Sequence, residues 1–331
     1  MRLIKSTATP LYPSGYELED VYKSIEIAGR TCYKSEVGDN AIDFVNKMIN
    51  SNHTAMLEHG TMYFDIPVGE LGDDPEYMWK SSIIQIFKKN PYSRVNKYEA
   101  EYEVDGTKVK LDHYAITTNY RVFIEQIDWD GLGPMRRDKV EGWELGLDKG
   151  YVLSFLCDPT EHHEKRYSFR IICDRGVTHE LVRHRVFSFA QESTRYCNYM
   201  KEQFGSELTF IIPAHLDIPE GQYVYWDGDW CDAESMSIMS PKADEINELN
   251  TFLYVLHQTE QDYMYLINHG WKPQQARAIL PNALKAEIVM TGFKSDWEHF
   301  VNLRYDGTTG APHPDMKRVA FFIAKFFERK S

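Results

Sequence analysis

The 331-residue chain lacks any apolar run approaching the roughly 20 residues needed to cross a bilayer, and its opening residues lack the apolar stretch of a secretory signal. Both absences predict a cytoplasmic protein with no membrane partner. Its five cysteines (Cys32, Cys157, Cys173, Cys197, Cys231) are odd in number and include no Cys-x-x-Cys pair, so neither a disulfide framework nor a zinc knuckle is indicated. Positive excess is lacking too: 37 Lys and Arg stand against 50 Asp and Glu, a formal net charge of -13. Phosphate backbones are held by surplus positive charge, so no general nucleic-acid surface is expected and any phosphate must meet a local cluster. The 43% apolar and 26% charged content is that of an ordinary globular chain of one large or two modest domains.

Such a cluster exists at residues 183–196. It gathers Arg183, His184, Arg185 and Arg195 with Ser188, Ser193 and Thr194, interleaved with Phe187, Phe189 and Tyr196. Guanidiniums and hydroxyls among aromatic rings suit an anionic, ring-bearing ligand, whereas a merely solvated basic face has no use for the rings. On a helix, three successive residues point about 100° apart, so Arg183, His184 and Arg185 would serve two surfaces.

Periodicity places helices at 18–33 and 41–49, a strand at 61–66, a hairpin at 97–111 around Asp105-Gly106, and a helical segment at 120–127. A Gly131-Leu132-Gly133-Pro134 loop lacks the third glycine of a dinucleotide fingerprint. A strand at 167–173 leads, after a turn, to a helix capped by Thr178 that delivers Arg183. Beyond Pro213 comes a tryptophan-rich acidic loop, then a long helix at 245–269, a short one opened by Pro273, and an amphipathic terminal helix at 314–330. Ser295-Asp296-Trp297-Glu298 has the form of a capping box for a helix through Arg304.

Metal readings are weak. His179-Glu180 begins like a zinc-protease motif, but Arg183 stands where the second histidine belongs. Glu161-His162-His163-Glu164 reads as a surface loop, its residues adjacent rather than spaced to converge.

Arg183-His184-Arg185 followed after seven residues by Ser193, with Arg195-Tyr196 behind it, resembles the signature of the flavin-dependent thymidylate synthases, the ThyX family. His53, Glu58 and His59 match that family's segment before a strand, Ala276-Arg277 with Leu280-Pro281 matches another, and Arg304 a third. Ala190-Gln191 replaces the family's Asn-Glu, and Phe293-Lys294-Ser295 replaces Asn-x-Arg. No Pro-Cys pair of the cysteine-dependent synthases occurs. The resemblance covers about 20–66 and 166–325.

It implies an α+β fold, an antiparallel sheet flanked by long helices, as a single catalytic domain over 1–331. An insertion of hairpin and helix interrupts it at about 67–165. It further implies a homotetramer with sites shared between subunits, and reductive methylation of dUMP to dTMP with methylenetetrahydrofolate, FAD and NADPH. Arg304 would be the catalytic group. The dUMP would be met by Glu180, Arg183, Gln191, Glu192, Ser193, Thr194, Arg195 and Arg277 together with Arg304. FAD would be met by His53, Glu58, Arg183, His184, Arg185, Gln191 and His299, and no metal is implied. The rival readings are a metal-dependent hydrolase built on His53, His59, His162, His163 and His179, and an inactive nucleotide-binding protein.

Overall fold

Apolar residues three and four apart build the first helices. In the computed structural model, which describes residues 1–38, 40–69, 76–104, 106–127, 149–202 and 205–329, strands β1 (Arg2–Ile4) and β2 (Thr7–Leu11) precede α1 (Leu18–Thr31). This helix buries Val21, Ile25 and Ala28, and α2 (Ala41–Asn50) buries Phe44, Val45 and Met48. A 3-10 turn at Thr54–His59 hands the chain to β3 (Thr61–Val68).

Next come α3 (Tyr77–Lys89), β4 (Arg94–Val104), β5 (Thr107–Asn119), α4 (Tyr120–Gln126) and α5 (Lys149–Leu153). The β4–β5 hairpin matches the sequence expectation, and Gly106 takes the left-handed φ of 77° that its tight turn demands. β3 pairs with β5 along its whole length, from Thr61↔Asn119 to Val68↔Asp112. Val21, Ile25 and Phe44 share a core with Ile83, Phe87, Ile116, Phe123 and Val152, so this stretch is fused to the N-terminal helices. The Gly131–Pro134 loop lies outside the described residues.

The four-stranded sheet that carries the site has the order β2-β6-β12-β7 and is antiparallel throughout. Its members here are β6 (Arg166–Asp174), β7 (Ser188–Gln191) and β12 (Lys285–Phe293), with α6 (Arg175–Leu181) between β6 and β7. Phe169, Ile171, Ile288 and Met290 fill one face. They pack under Trp297 and Phe300 of α9 (Lys294–Val301) and under Val319 and Ile323 of α10 (Pro314–Glu328). The third sheet joins β1 to β8 (Thr209–Ile211), β9 (Gly221–Trp226), β10 (Asp229–Asp232) and β11 (Ile238–Ser240). Its apolar side, with Leu3, Tyr223 and Trp230, meets Leu253, Leu256 and Tyr263 of α7 (Glu248–Asn268), which α8 (Pro273–Ala276) follows.

Mixed helices and antiparallel sheets agree with the α+β expectation; four local expectations change. α6 is capped by Asp174, which accepts the Val177 N–H at 2.8 Å, while Thr178 is buried inside the helix. α6 ends at Leu181, so Arg183-His184-Arg185 occupy a turn rather than a helix. The Ser295 hydroxyl donates to Glu164 instead of closing a capping box, and α9 starts from Phe293. The tryptophan-rich stretch forms strands β9, β10 and β11, not a loop.

Candidate functional site

β6 and β7 both run antiparallel to β12 on opposite edges, so residues 175–187 must cross back along the sheet. That crossover brings the turn after α6 to the end of β12 from which α9 departs. There the helix of α9 loosens into a π turn at Asn302–Asp306, closed by Gly307 at a φ of 73°. The turn swings Arg304 inward: its Nε donates to His184 Nε2 at 3.0 Å and its Nη1 to Glu180 Oε2 at 3.0 Å. Burial, then the charges of Arg304 and His299, draw His184 down to a pKa of about 4. It is therefore neutral near pH 7, its proton sits on Nδ1, and Nε2 is the acceptor that Arg304 requires. The ring leans edge-on against Phe300 with centroids 5.0 Å apart.

At the far end of β7 the chain is held from beneath. Gln191 donates to the Thr178 hydroxyl at 3.1 Å, the Glu192 N–H donates to the Glu287 carbonyl at 2.8 Å, and the Ser193 N–H donates to the Cys32 carbonyl at 3.1 Å. Glu192 is buried, and its oxygens accept from the Tyr199 hydroxyl at 3.0 Å and from Lys285 at 2.7 Å. Lys34 stands 3.8 Å from the same carboxylate and also pairs with Glu287, which Arg170 meets at 3.2 Å. Buried Thr194 lies 3.5 Å from Arg277 Nη1, and Arg195 lies over the Tyr196 ring at 5.5 Å. Sequence reasoning missed Lys34, Arg170, Lys285, Glu287 and Tyr199. The one local signal was Lys285-Ala286-Glu287, opposite charges two apart on one face of a strand.

Above this platform the cations are open. Arg183, Arg185, Arg195 and Arg277 are exposed, and Arg183 and Arg185 have no side-chain partner among the described residues. Exposed His299 sits close enough to His184 to depress it. The Thr54–His59 turn packs on β7 with exposed His53 at its start, but Glu58 is engaged, accepting from Arg121 Nη1 of α4 at 2.7 Å. His59 faces inward, its Nδ1 2.8 Å from the Thr291 hydroxyl, and burial draws it down to about 3. Phe293, standing where the family has Asn, is buried between the guanidiniums of Arg94 at 4.4 Å and Arg166 at 5.4 Å. The histidines of the hydrolase reading do not converge: His162 stacks on Tyr98 at 3.7 Å, and His163 Nε2 lies 3.0 Å from the Phe64 carbonyl. Among the described residues no group of His, Cys, Asp and Glu could hold a metal ion.

The model of the family described as thymidylate synthase complementing protein matches residues 157–330, just over half of the chain. The flavin-dependent thymidylate synthase of Pyrococcus furiosus is 31% identical over 132 residues, 40% of this chain and 43% of that protein. That of Corynebacterium efficiens is 30% identical over 151 residues, 45% of this chain and 51% of the relative. That of Pyrococcus horikoshii is 29% identical over 202 residues, 60% and 70%. The chain thus spans about half the length of the first two curated relatives. The crystal structure of a UMP/dUMP methylase, PolB, from Streptomyces cacaoi bound with 5-Br UMP is similar over 99% of this chain and 92% of that one, at 12% identity and a TM-score of 0.40. With its Arg-His-Arg turn, Ser193, Arg277 and Arg304 all inside the matched residues, the chain belongs to the thymidylate synthase complementing protein family, Thy1.

Proposed function

We propose that the chain catalyses reductive methylation of dUMP to dTMP, with methylenetetrahydrofolate as one-carbon donor and NADPH as reductant, in a homotetramer whose sites are shared between subunits. The observation that carries this reading is the placement of Arg304. It is locked by a carboxylate and a neutral imidazole beside a surface rich in exposed guanidiniums. Methylation at a uracil carbon needs electron density pushed into the ring, and a fixed cation at the imide and carbonyl stabilises the charge that develops. Nε and Nη1 of Arg304 are taken by His184 and Glu180, which leaves Nη2 to face the pyrimidine.

Arg183, Arg195 and Arg277 hold the nucleotide's phosphate and ring as charge-assisted donors. Ser193 and Thr194 supply hydroxyls, and Glu192 keeps their backbone in place through Lys285 and Tyr199. Gln191, tied to Thr178, borders both ligands. Ser193 donates rather than attacks: its Oγ accepts the Arg195 N–H at 3.3 Å, and no histidine is bonded to it among the described residues. The exposed Arg183 and Arg185 guanidiniums fit the diphosphate of FAD, with His53, Glu58, His184 and His299 bordering the same surface. FAD, when bound, supplies the hydride.

The test is a visible spectrum and sizing of the purified chain, followed by an assay of NADPH oxidation. The expected result is a yellow tetramer that oxidises NADPH only with dUMP and methylenetetrahydrofolate present. A colourless monomer without dUMP-dependent oxidation overturns the proposal, and a yellow protein that binds dUMP without turnover leaves the inactive binder in its place.

A further inference from the structure

A cavity of about 160 Å³ lies between α1, the loop after β2 and the sheet face formed by Ser168 and Val289. Ile288 and Met290 pack with α9 on the other face, so this space is separate from the Arg304 cluster. In a chain of net charge -13, none of the described residues lining it is Asp or Glu, whereas Lys165 and Arg166 both line it. Lys165 is exposed and marks the mouth.

Arg166 is the unusual member. Its Nη1 donates to the Glu58 carbonyl at 3.1 Å and to the Thr61 hydroxyl at 3.3 Å, yet no carboxylate stands within ion-pair distance among the described residues. Glu58 and Asp296 act on it from farther away, and Glu58 is already paired with Arg121. Its Nε is fully enclosed without a hydrogen-bond partner. Burial draws the guanidinium down to about 10. A guanidinium whose partners are neutral oxygens and the Phe293 ring is only partly compensated, and an anion from outside relieves the remaining cost. The Tyr63 hydroxyl accepts the Arg166 N–H at 3.2 Å, so its own proton remains to be donated, and Tyr16 meets Tyr63 edge-on at 5.2 Å.

The remaining walls mix apolar side chains, among them Val21, Ile27 and Phe326, with the hydroxyls of Ser24, Thr61 and Ser168 and with His59, whose Nε2 is buried without a hydrogen-bond partner. The volume is of the order that holds one benzene-sized ring. One enclosed guanidinium suits a monoanion, whose desolvation is cheaper than that of a dianion. We propose that this cavity binds a small monocyclic aromatic carboxylate, the ring lying between α1 and the tyrosines and the carboxylate on Arg166.

Benzoate is the probe, titrated into the full chain by calorimetry with no nucleotide or flavin present, so the outcome does not depend on the synthase reading. The expected result is saturable binding with a Kd on the order of 1 mM or tighter, and at least about tenfold weaker binding of neutral benzamide and of inorganic phosphate. Arg166→Met weakens benzoate at least about tenfold. Ser24→Phe fills the cavity from α1, leaves Arg166 in place and removes binding. Folding of both variants is checked by near-UV circular dichroism, and if one does not fold the other decides. Absence of saturable benzoate binding, equal binding of benzamide or phosphate, or wild-type affinity in the folded variants overturns the proposal.

Discussion

Two side chains divide the work at the scale of single residues. The orientation of Arg304 is set by Glu180 and His184, and under the proposed function its removal takes away one fixed electrostatic stabiliser. Arg304→Ala is expected to lower dUMP-dependent turnover by on the order of 10²–10³, and near-normal rates would take it out of the mechanism. Glu192 works from below, where its carboxylate is the partner of Lys285. Removing it leaves buried Lys285 with only the more distant Glu287 carboxylate at 3.9 Å, so Glu192→Ala is expected to cost roughly 3–5 kcal/mol in denaturant unfolding. A loss under about 1 kcal/mol would mean that water reaches Lys285 and that the network is no platform. Burial pushes the Cys32 thiol up to about 11 and the Cys197 thiol up to about 12, away from the thiolate a nucleophile requires.

At the scale of elements, the crossover from β6 to β7 is held by one close approach. Gly292 of β12 lies against the Phe187 ring, and a Cβ at 292 would overlap that ring. Phe187 ends the turn carrying Arg183, His184 and Arg185, and it packs on Trp297 with centroids 4.5 Å apart. Gly292→Ala is therefore expected to cost about 1–3 kcal/mol and to weaken dUMP binding, read from the denaturant midpoint and a nucleotide titration. Unchanged values in both would show that the turn repacks freely. The same elements explain what was legible beforehand. α1, α2 and α10 bury residues three and four apart, a pattern a single stretch contains whole, and the run from Arg183 to Arg195 is local as well. The Lys34–Glu192–Lys285–Glu287–Arg170 network was not legible, because the registers of β6 and β7 against β12 and the end of α1 bring its members together. The strands β9 and β10 were hidden by their acidic and exposed aromatic residues: Tyr223 and Trp230 are buried while Tyr225 and Trp226 face out. Asp174 and Thr178 are both capping residue types one turn apart, and only the Val177 N–H bond tells them apart.

Across the whole molecule, burial keeps the imidazoles of His59 and His184 uncharged, which ties stability to pH with a definite sign. His59 is drawn down to about 3 and His184 to about 4 from an ordinary value of 6.5. Above about pH 6.5 both are neutral in the folded and unfolded chain, and the folded state keeps its full margin. Below that, the unfolded chain takes up protons that the folded chain refuses, so stability falls with pH until the folded values near 4 and 3 are passed. Asp174 and Asp296 have the opposite sign, since burial raises them and their contribution is full only below the ordinary carboxylate value of 3.8. Between about pH 6.5 and 5 the histidines therefore prevail, and each proton bound by the unfolded chain alone contributes about 1.4 kcal/mol per pH unit. Denaturant midpoints of wild type and His59→Gln compared at about pH 7.5 and 5.5 check this, the variant being expected to show a shallower fall. A wild-type midpoint that is flat over that interval would mean the folded protein accepts those protons. Arg304 would then face an imidazolium instead of the neutral acceptor that fixes its orientation.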